Sequence, residues 1–139
     1  MSWFSWAAAT AFIWGCAPLL EKVGLAKVAP TTGLFFRCLG VLLGFVFLAA
    51  FWVKPQQVRA ADWTTIALLV ASGLMGSFLG QIPYYMALKG AEMSRVVLIA
   101  GSYPLVAVLL GVLVLGESVS VTKVAGMLAV IGGLWLLRL

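Results

Sequence analysis

The stretch TGLFFRCLGVLLGFVFLAAFWV, residues 32–53, holds a single charged side chain, Arg37. A helix needs about 20 mostly apolar residues to cross the hydrocarbon of a bilayer, and this run supplies them almost without interruption. Four more stretches of the same kind surround it: Trp3–Leu20, Trp63–Leu88, Val96–Leu115 and Val121–Leu137. Together they fill nearly all of the 139 residues and leave only short joins between them. The reading is an all-α integral membrane protein, a five-transmembrane-helix bundle forming one domain over residues 1–139. An odd number of crossings places the two ends of the chain on opposite sides of the membrane.

Composition agrees. The chain is 64% apolar and 9% charged, with a mean hydropathy of +1.15. A soluble domain of this size needs more polar surface than that. A closed β-barrel also satisfies every backbone group in lipid, but it would alternate polar and apolar residues over segments of about ten. The runs here are near-continuous. The first stretch is read as a helix rather than a cleaved signal, because Met1–Trp6 carries no basic side chain and Trp14 is too bulky for a lipoprotein cleavage box before Cys16.

The net charge of +5 comes from basic residues scattered over helix ends and loops, not from a stripe, so no nucleic-acid partner is expected. Their placement bears on orientation instead. Lys54, Arg59 and Lys123 fall on the side of the N-terminus. Lys22, Lys27, Lys89, Arg95 and Arg138 fall on the other, with Arg37 just inside that face. The bias favours an inner or plasma membrane protein with its N-terminus out and its C-terminus in. It is small enough to leave insertion in both orientations open.

Catalysis and metal chemistry are not expected. The chain has no His, no CxxC and no phosphate-cradling loop, so it is read as neither an enzyme nor a metalloprotein, and no cofactor is implied. Cys16 and Cys38 are read as two small buried hydrophobes. The four acids, Glu21, Asp62, Glu92 and Glu117, are placed at helix ends or in loops, so no carboxylate is expected inside the membrane.

The candidate functional residues are the polar and irregular ones within the spans. Pro18, Pro83 and Pro104 each remove a backbone donor and are expected to kink or loosen their helices. Trp14 either packs between helices or walls a solute cavity. Arg37 either snorkels to the nearby face or serves a site, where it would favour an anionic group. Gly73, Gly76, Ser77, Gly80, Gln81, Tyr84 and Tyr85 recur at steps of three and four, forming one small-to-polar stripe. That stripe is either a close-packing face or a cavity wall whose polar end is Gln81, Tyr84 and Tyr85. Gly40 and Gly44 give a GxxxG spacing, and Ala107 and Gly111 a second small pair. Ser102 could satisfy the Ala100 carbonyl freed by Pro104. Ser118 or Ser120 could cap the last helix, and Glu117 could pair with Lys123.

These pieces together resemble the EamA-like domain of the drug/metabolite transporter superfamily. The matching parts are Trp14-Gly15-x-x-Pro18-x-x-x-Lys22, Phe35-Phe36-Arg37, Tyr85-x-Ala87-Leu88-Lys89 with Ala91-Glu92, and Tyr103-Pro104 followed by Leu115-Gly116-Glu117, Gly126 and Gly132. The resemblance implies one five-helix half of a ten-helix transporter whose two halves are inverted repeats. It implies a cavity lined by Trp14, Arg37, Gln81, Tyr84 and Tyr103, and a small-molecule substrate. The expected assembly is a homodimer, antiparallel in one version, or a pairing with a second homologous half. Two other readings stay open: a non-transporting subunit of a larger complex, and a subunit of a lipid-carrier flippase.

Overall fold

The computed structural model describes residues 3–136, and every regular element among them is helical. In lipid no water can take up an unpaired N–H or C=O, so apolar sequence of this kind folds into helices that satisfy their own backbones. The elements are α1 (Trp3–Leu25), α2 (Pro30–Phe51), α3 (Pro55–Ala60), α4 (Trp63–Leu74), a π-helical turn (Met75–Leu79), α5 (Gln81–Gly90), α6 (Met93–Ala100), α7 (Tyr103–Leu115) and α8 (Val121–Leu136). Among the described residues, four spans are long and apolar enough to cross a membrane: α1, α2, the run Trp63–Gly90 and the run Met93–Leu115. The apolar α8 is shorter, at 16 residues. The expected end of the last helix at Leu137, and Arg138 beyond it, lie outside the described residues.

The chain divides into two compact units, one ending at Gly90 and one beginning at Ala91. In the first unit α1, α2 and α5 pack against one another. Leu25, Leu34, Tyr85 and Leu88 are buried there, Leu88 completely. Most other apolar side chains of the spans point outward. Such a distribution suits a chain whose solvent is hydrocarbon, where tight contact rather than apolar burial holds helices together. Cys16 is exposed and Cys38 half-buried, which corrects the expectation of two buried thiols.

One end of this unit is tied by two lysines. Lys22 of α1 donates from Nζ to the Leu88 carbonyl near the end of α5, and Lys89 of α5 donates to the Val28 carbonyl in the α1–α2 loop. The last carbonyls of a helix lack intrahelical donors and carry partial negative charge, so ammonium groups settle on them.

The start of α4 is fixed by Asp62. Its Oδ2 accepts from the Thr65 N–H at 3.0 Å, and its Oδ1 accepts from the Thr65 hydroxyl. These bonds, the hydroxyl's first, hold the Asp62 carboxyl below the usual carboxylate range. A depressed folded pKa makes the cap effective above the unfolded value and weakens it as pH falls through the folded one. Amide exchange at Thr65 is therefore expected to quicken in Asp62→Ala at neutral pH. In the unmodified protein it should quicken, beyond the intrinsic trend, only on acidification past the usual carboxylate range. An acid step of equal size in Asp62→Ala would sink the assignment.

The second unit shows where proline and glycine break a span. The run from Met93 to Leu115 is interrupted at Gly101 and Ser102, and Pro104 follows in the first turn of α7. Ser102 donates from Oγ to the carbonyl of Ile99 at 2.6 Å, not to that of Ala100 as expected. The turn after Gly101 tightens and brings the earlier carbonyl nearer. Gly116 ends α7 in the left-handed region, with φ at 67°. Glycine suits that position because it has no Cβ to clash. The chain then folds back so that the N–H of Glu117 reaches the Gly111 carbonyl at 3.1 Å. Ser120 caps α8 by accepting from the Lys123 N–H at 3.2 Å, and Lys123 pairs with Glu117 at 3.0 Å. Both are arrangements the sequence allowed.

Candidate functional site

The polar residues of the first unit meet at Glu21. α1 does not stop near Leu20 but runs on to Leu25, so Glu21 lies within the helix, about 6 Å short of its end at 1.5 Å per residue. This corrects the expected end of the helix at Leu20; Glu21 stands near the end of α1, about one turn inside it. Pro18 and Leu25 are the buried residues of α1, and Glu21 falls between them at i+3 from Pro18 and i−4 from Leu25. It therefore faces the same way, towards α2 and α5.

Three donors converge on one oxygen of this carboxylate. Gln81 donates from Nε2 to Glu21 Oε1 at 3.0 Å, and the Tyr85 hydroxyl donates to the same atom at 3.1 Å. Arg37 Nε lies 3.5 Å from it, an ion pair with side chains only 28% (Arg37) and 15% (Glu21) exposed. Arg37 also donates from Nη1 to the Ser77 carbonyl at 2.8 Å. Ser77 belongs to the π-helical turn, whose bonding is carried by contacts such as Gly80 N–H to Met75 C=O at 2.8 Å. A π turn widens the helix and tilts carbonyls away from its axis. The irregularity expected beside Pro83 occurs one turn before it, and it presents an acceptor to Arg37.

A cavity of about 390 Å³ opens beside this cluster. Glu21, Arg37 and Tyr85 line its polar part, and Leu20, Leu25 and Phe36 belong to its apolar wall. Gly33 also lines it, and a Cβ added there would stand 2.5 Å from Leu25 Cδ2 and 3.4 Å from the Tyr85 ring. The second unit has a cavity of about 210 Å³ between α7 and α8, walled by Val108, Val112, Val124 and Met127 among others. Its charged member, Lys123, is already engaged by Glu117 and by the Ser118 carbonyl. It offers a solute little to hold.

The residues singled out from the sequence distribute as follows. Arg37 and Gln81 stand in the cluster. Tyr84 is half-buried beside it, its ring centroid 6.2 Å from that of Tyr85. Trp14 stands two turns earlier on α1 and is 62% exposed, outside the groove. Tyr103 opens α7 in the second unit and is exposed. Pro18 lies inside an unbroken α1, whereas Pro83 and Pro104 sit next to interruptions. Glu21, absent from the expected cavity, is at its centre, together with Tyr85, which the sequence offered as part of a polar cavity wall on the third stretch. The available signal was spacing: Pro18, Glu21, Lys22 and Leu25 share one helical face, and Gln81, Tyr85 and Leu88 share another.

Among known proteins, the sequence profile of the EamA-like transporter family matches residues 1–139. An uncharacterized protein of Pseudomonas aeruginosa, PA1977, is 33% identical over 124 residues, covering 89% of this chain. The chain spans about two fifths (41%) of that relative's length. No solved structure matches.

Proposed function

Because the chain belongs to the EamA-like transporter family and is a multi-pass, all-helical membrane protein, we propose that it moves a small solute across the membrane through a site built on Glu21, Arg37, Gln81 and Tyr85. The observation that carries this reading is the ion pair of Arg37 and Glu21 beside an open cavity within the spans. Ionisable groups are costly at membrane depth and concentrate where solutes or ions pass. Neither side chain acts as nucleophile or base on a bound substrate in this reading, so the protein is a permease or exporter and not an enzyme.

Transport by alternating access needs two repeats that rock about a shared site. The chain covers about two fifths of its P. aeruginosa relative, the extent of one such repeat. A second copy in the opposite orientation supplies the other. The small charge bias between the two faces permits that, with N-out, C-in as the favoured orientation in an inner or plasma membrane. Several glycines suit the contact. A Cβ at Gly40 or Gly44 of α2, or at Gly126, Gly132 or Gly133 of α8, would meet no atom within 4 Å. Helices in lipid associate closely through such small residues.

Reporters fused to each terminus test the assembly. Both orientations should be found in the membrane, and cross-linking should trap antiparallel pairs. If every copy inserts the same way and no homologous partner co-purifies, the antiparallel pair is wrong.

A further inference from the structure

We propose that Glu21 is an internal counter-ion for Arg37, and that an anionic solute with an apolar body displaces it while Glu21 takes up a proton. This deepens the transport reading above and rests on it for its use, although the linkage itself is a property of binding alone.

Around the polar end of the first unit stand Arg37, Lys22 and Lys89, against one acid, Glu21. Among the described residues, the cavity itself is lined by one cation and one anion, Arg37 and Glu21, so an anion that enters it competes with Glu21 for Arg37. Arg37 is held by Glu21 and by the Ser77 carbonyl through Nε and Nη1. No hydrogen bond joins its Nη2 to another described residue, and the side chain lines the cavity. The guanidinium fork can therefore receive a carboxylate, sulfonate or phosphate oxygen pair. The apolar wall of Leu20, Leu25 and Phe36 suits the body of such a solute.

An anion on Arg37 leaves Glu21 without its cation. Two negative charges would then share one cation in a site little exposed to water, which is strongly unfavourable. Adding one proton to the Glu21 carboxylate restores the original charge. The surroundings accept either form. Ionised, Glu21 accepts from Gln81 and Tyr85 and pairs with Arg37. Protonated, its O–H can donate to the Tyr85 hydroxyl oxygen, because that hydroxyl both donates and accepts. The titratable and charged groups facing Glu21 are Arg37 from α2, Tyr84 and Tyr85 from α5, and Lys22 on its own helix. Lys22 also bonds the Leu88 carbonyl. Arg37 is the cation that both pairs with Glu21 and lines the cavity, so the anion and Glu21 compete for it. Each bound monoanion enters with one proton, so the exchange is electroneutral.

The test is calorimetric titration of the purified full chain with benzenesulfonate, whose charge is fixed across the whole range. Runs in buffers of different ionisation enthalpy count the protons taken up. Affinity should rise by up to tenfold per pH unit as the pH is lowered and then level off in acid, with up to one proton taken up per anion. Glu21→Gln should bind at the acid-limit affinity at every pH and take up no proton, and Arg37→Gln should not bind. The proposal is overturned if the unmodified protein binds with pH-independent affinity and no proton uptake. No binding at any pH overturns it too, and that comparison needs no variant to fold. Proteoliposomes carrying an internal pH dye separate the two readings. Linked binding without proton-coupled flux keeps the counter-ion and sinks transport, whereas benzenesulfonate flux without proton movement does the reverse.

Discussion

Replacing Glu21 by Ala is expected to destabilise the first unit by about 3 kcal/mol, and Arg37→Ala by a similar amount, because each leaves the other charge uncompensated in a site with little access to water. The partial exposure of both side chains, 28% and 15%, places the effect at the lower end of the range for buried pairs. The loss is not that of one hydrogen bond. Glu21→Ala also removes the acceptor shared by Gln81 and Tyr85, and Arg37→Ala removes a donor to the Ser77 carbonyl in the π-helical turn. Replacing both charges by Met should cost less than the sum of the single changes, since two apolar groups need no mutual compensation. Contacting residues in one network couple by roughly 0.5–3 kcal/mol, and this pair belongs in the upper part of that range. Thermal unfolding of the purified protein and its variants in one detergent measures the cycle. Single losses no larger than those of exposed charge changes, together with additivity, would show that the pair contributes nothing. Glu21→Gln provides the internal comparison. It keeps an oxygen acceptor for Gln81 and Tyr85 and should cost less than Glu21→Ala.

The spans were legible because they depend on composition over about 20 residues, and any helix crossing lipid must show that composition. The cap of α8 by Ser120 was legible for a local reason, since serine acts within one turn, whereas α2 starts at Pro30, two residues before the expected Thr32, because proline suits the first helical turn. Glu21 was misplaced for a non-local reason. Hydropathy falls at Glu21-Lys22, and a boundary drawn there is correct if both charges go to water. Here both are taken up by α5, through Gln81, Tyr85 and the Leu88 carbonyl, sixty or more residues away. With those partners α1 continues to Leu25. The same distance explains Tyr85. It was visible as part of a polar stripe, but only the position of α1 shows that its hydroxyl meets a carboxylate. Trp14 is a different case. Helix packing and a cavity wall were both open to it, and at 62% exposed it stands outside the groove at Glu21. In lipid an outward-facing Trp carries no penalty that a sequence could reveal.

Gly33→Val is expected to destabilise the first unit by about 1–3 kcal/mol, the range for added volume in a packed contact. Gly33 lies in the first turns of α2, and its Cα faces Leu25 of α1 and Tyr85 of α5. A Cβ there would lie 2.5 Å from Leu25 Cδ2 and 3.4 Å from Tyr85 Cε2. The nearer atom is the end of a flexible side chain, and in an open setting it would simply turn aside. Leu25 and Tyr85 are each only 3% exposed, so the displaced methyl has only the cavity that Leu25 and Gly33 both line to turn into. Turning there, or separating α1 and α2 to avoid it, gives up packing and disturbs the Tyr85–Glu21 contact. Leu25→Ala removes the obstructing atoms. It should be destabilising by itself, because it leaves a void among contacts that have only dispersion to hold them. Combined with Gly33→Val it should cost less than the two changes added together, since each fills or relieves what the other creates. The same unfolding measurement applies, with pH-linked benzenesulfonate binding as a second readout. Strict additivity would mean that Gly33 and Leu25 do not meet. Restored stability without restored binding would mean that close approach of α1 and α2 matters for the fold but not for the Tyr85–Glu21 geometry on which the site depends.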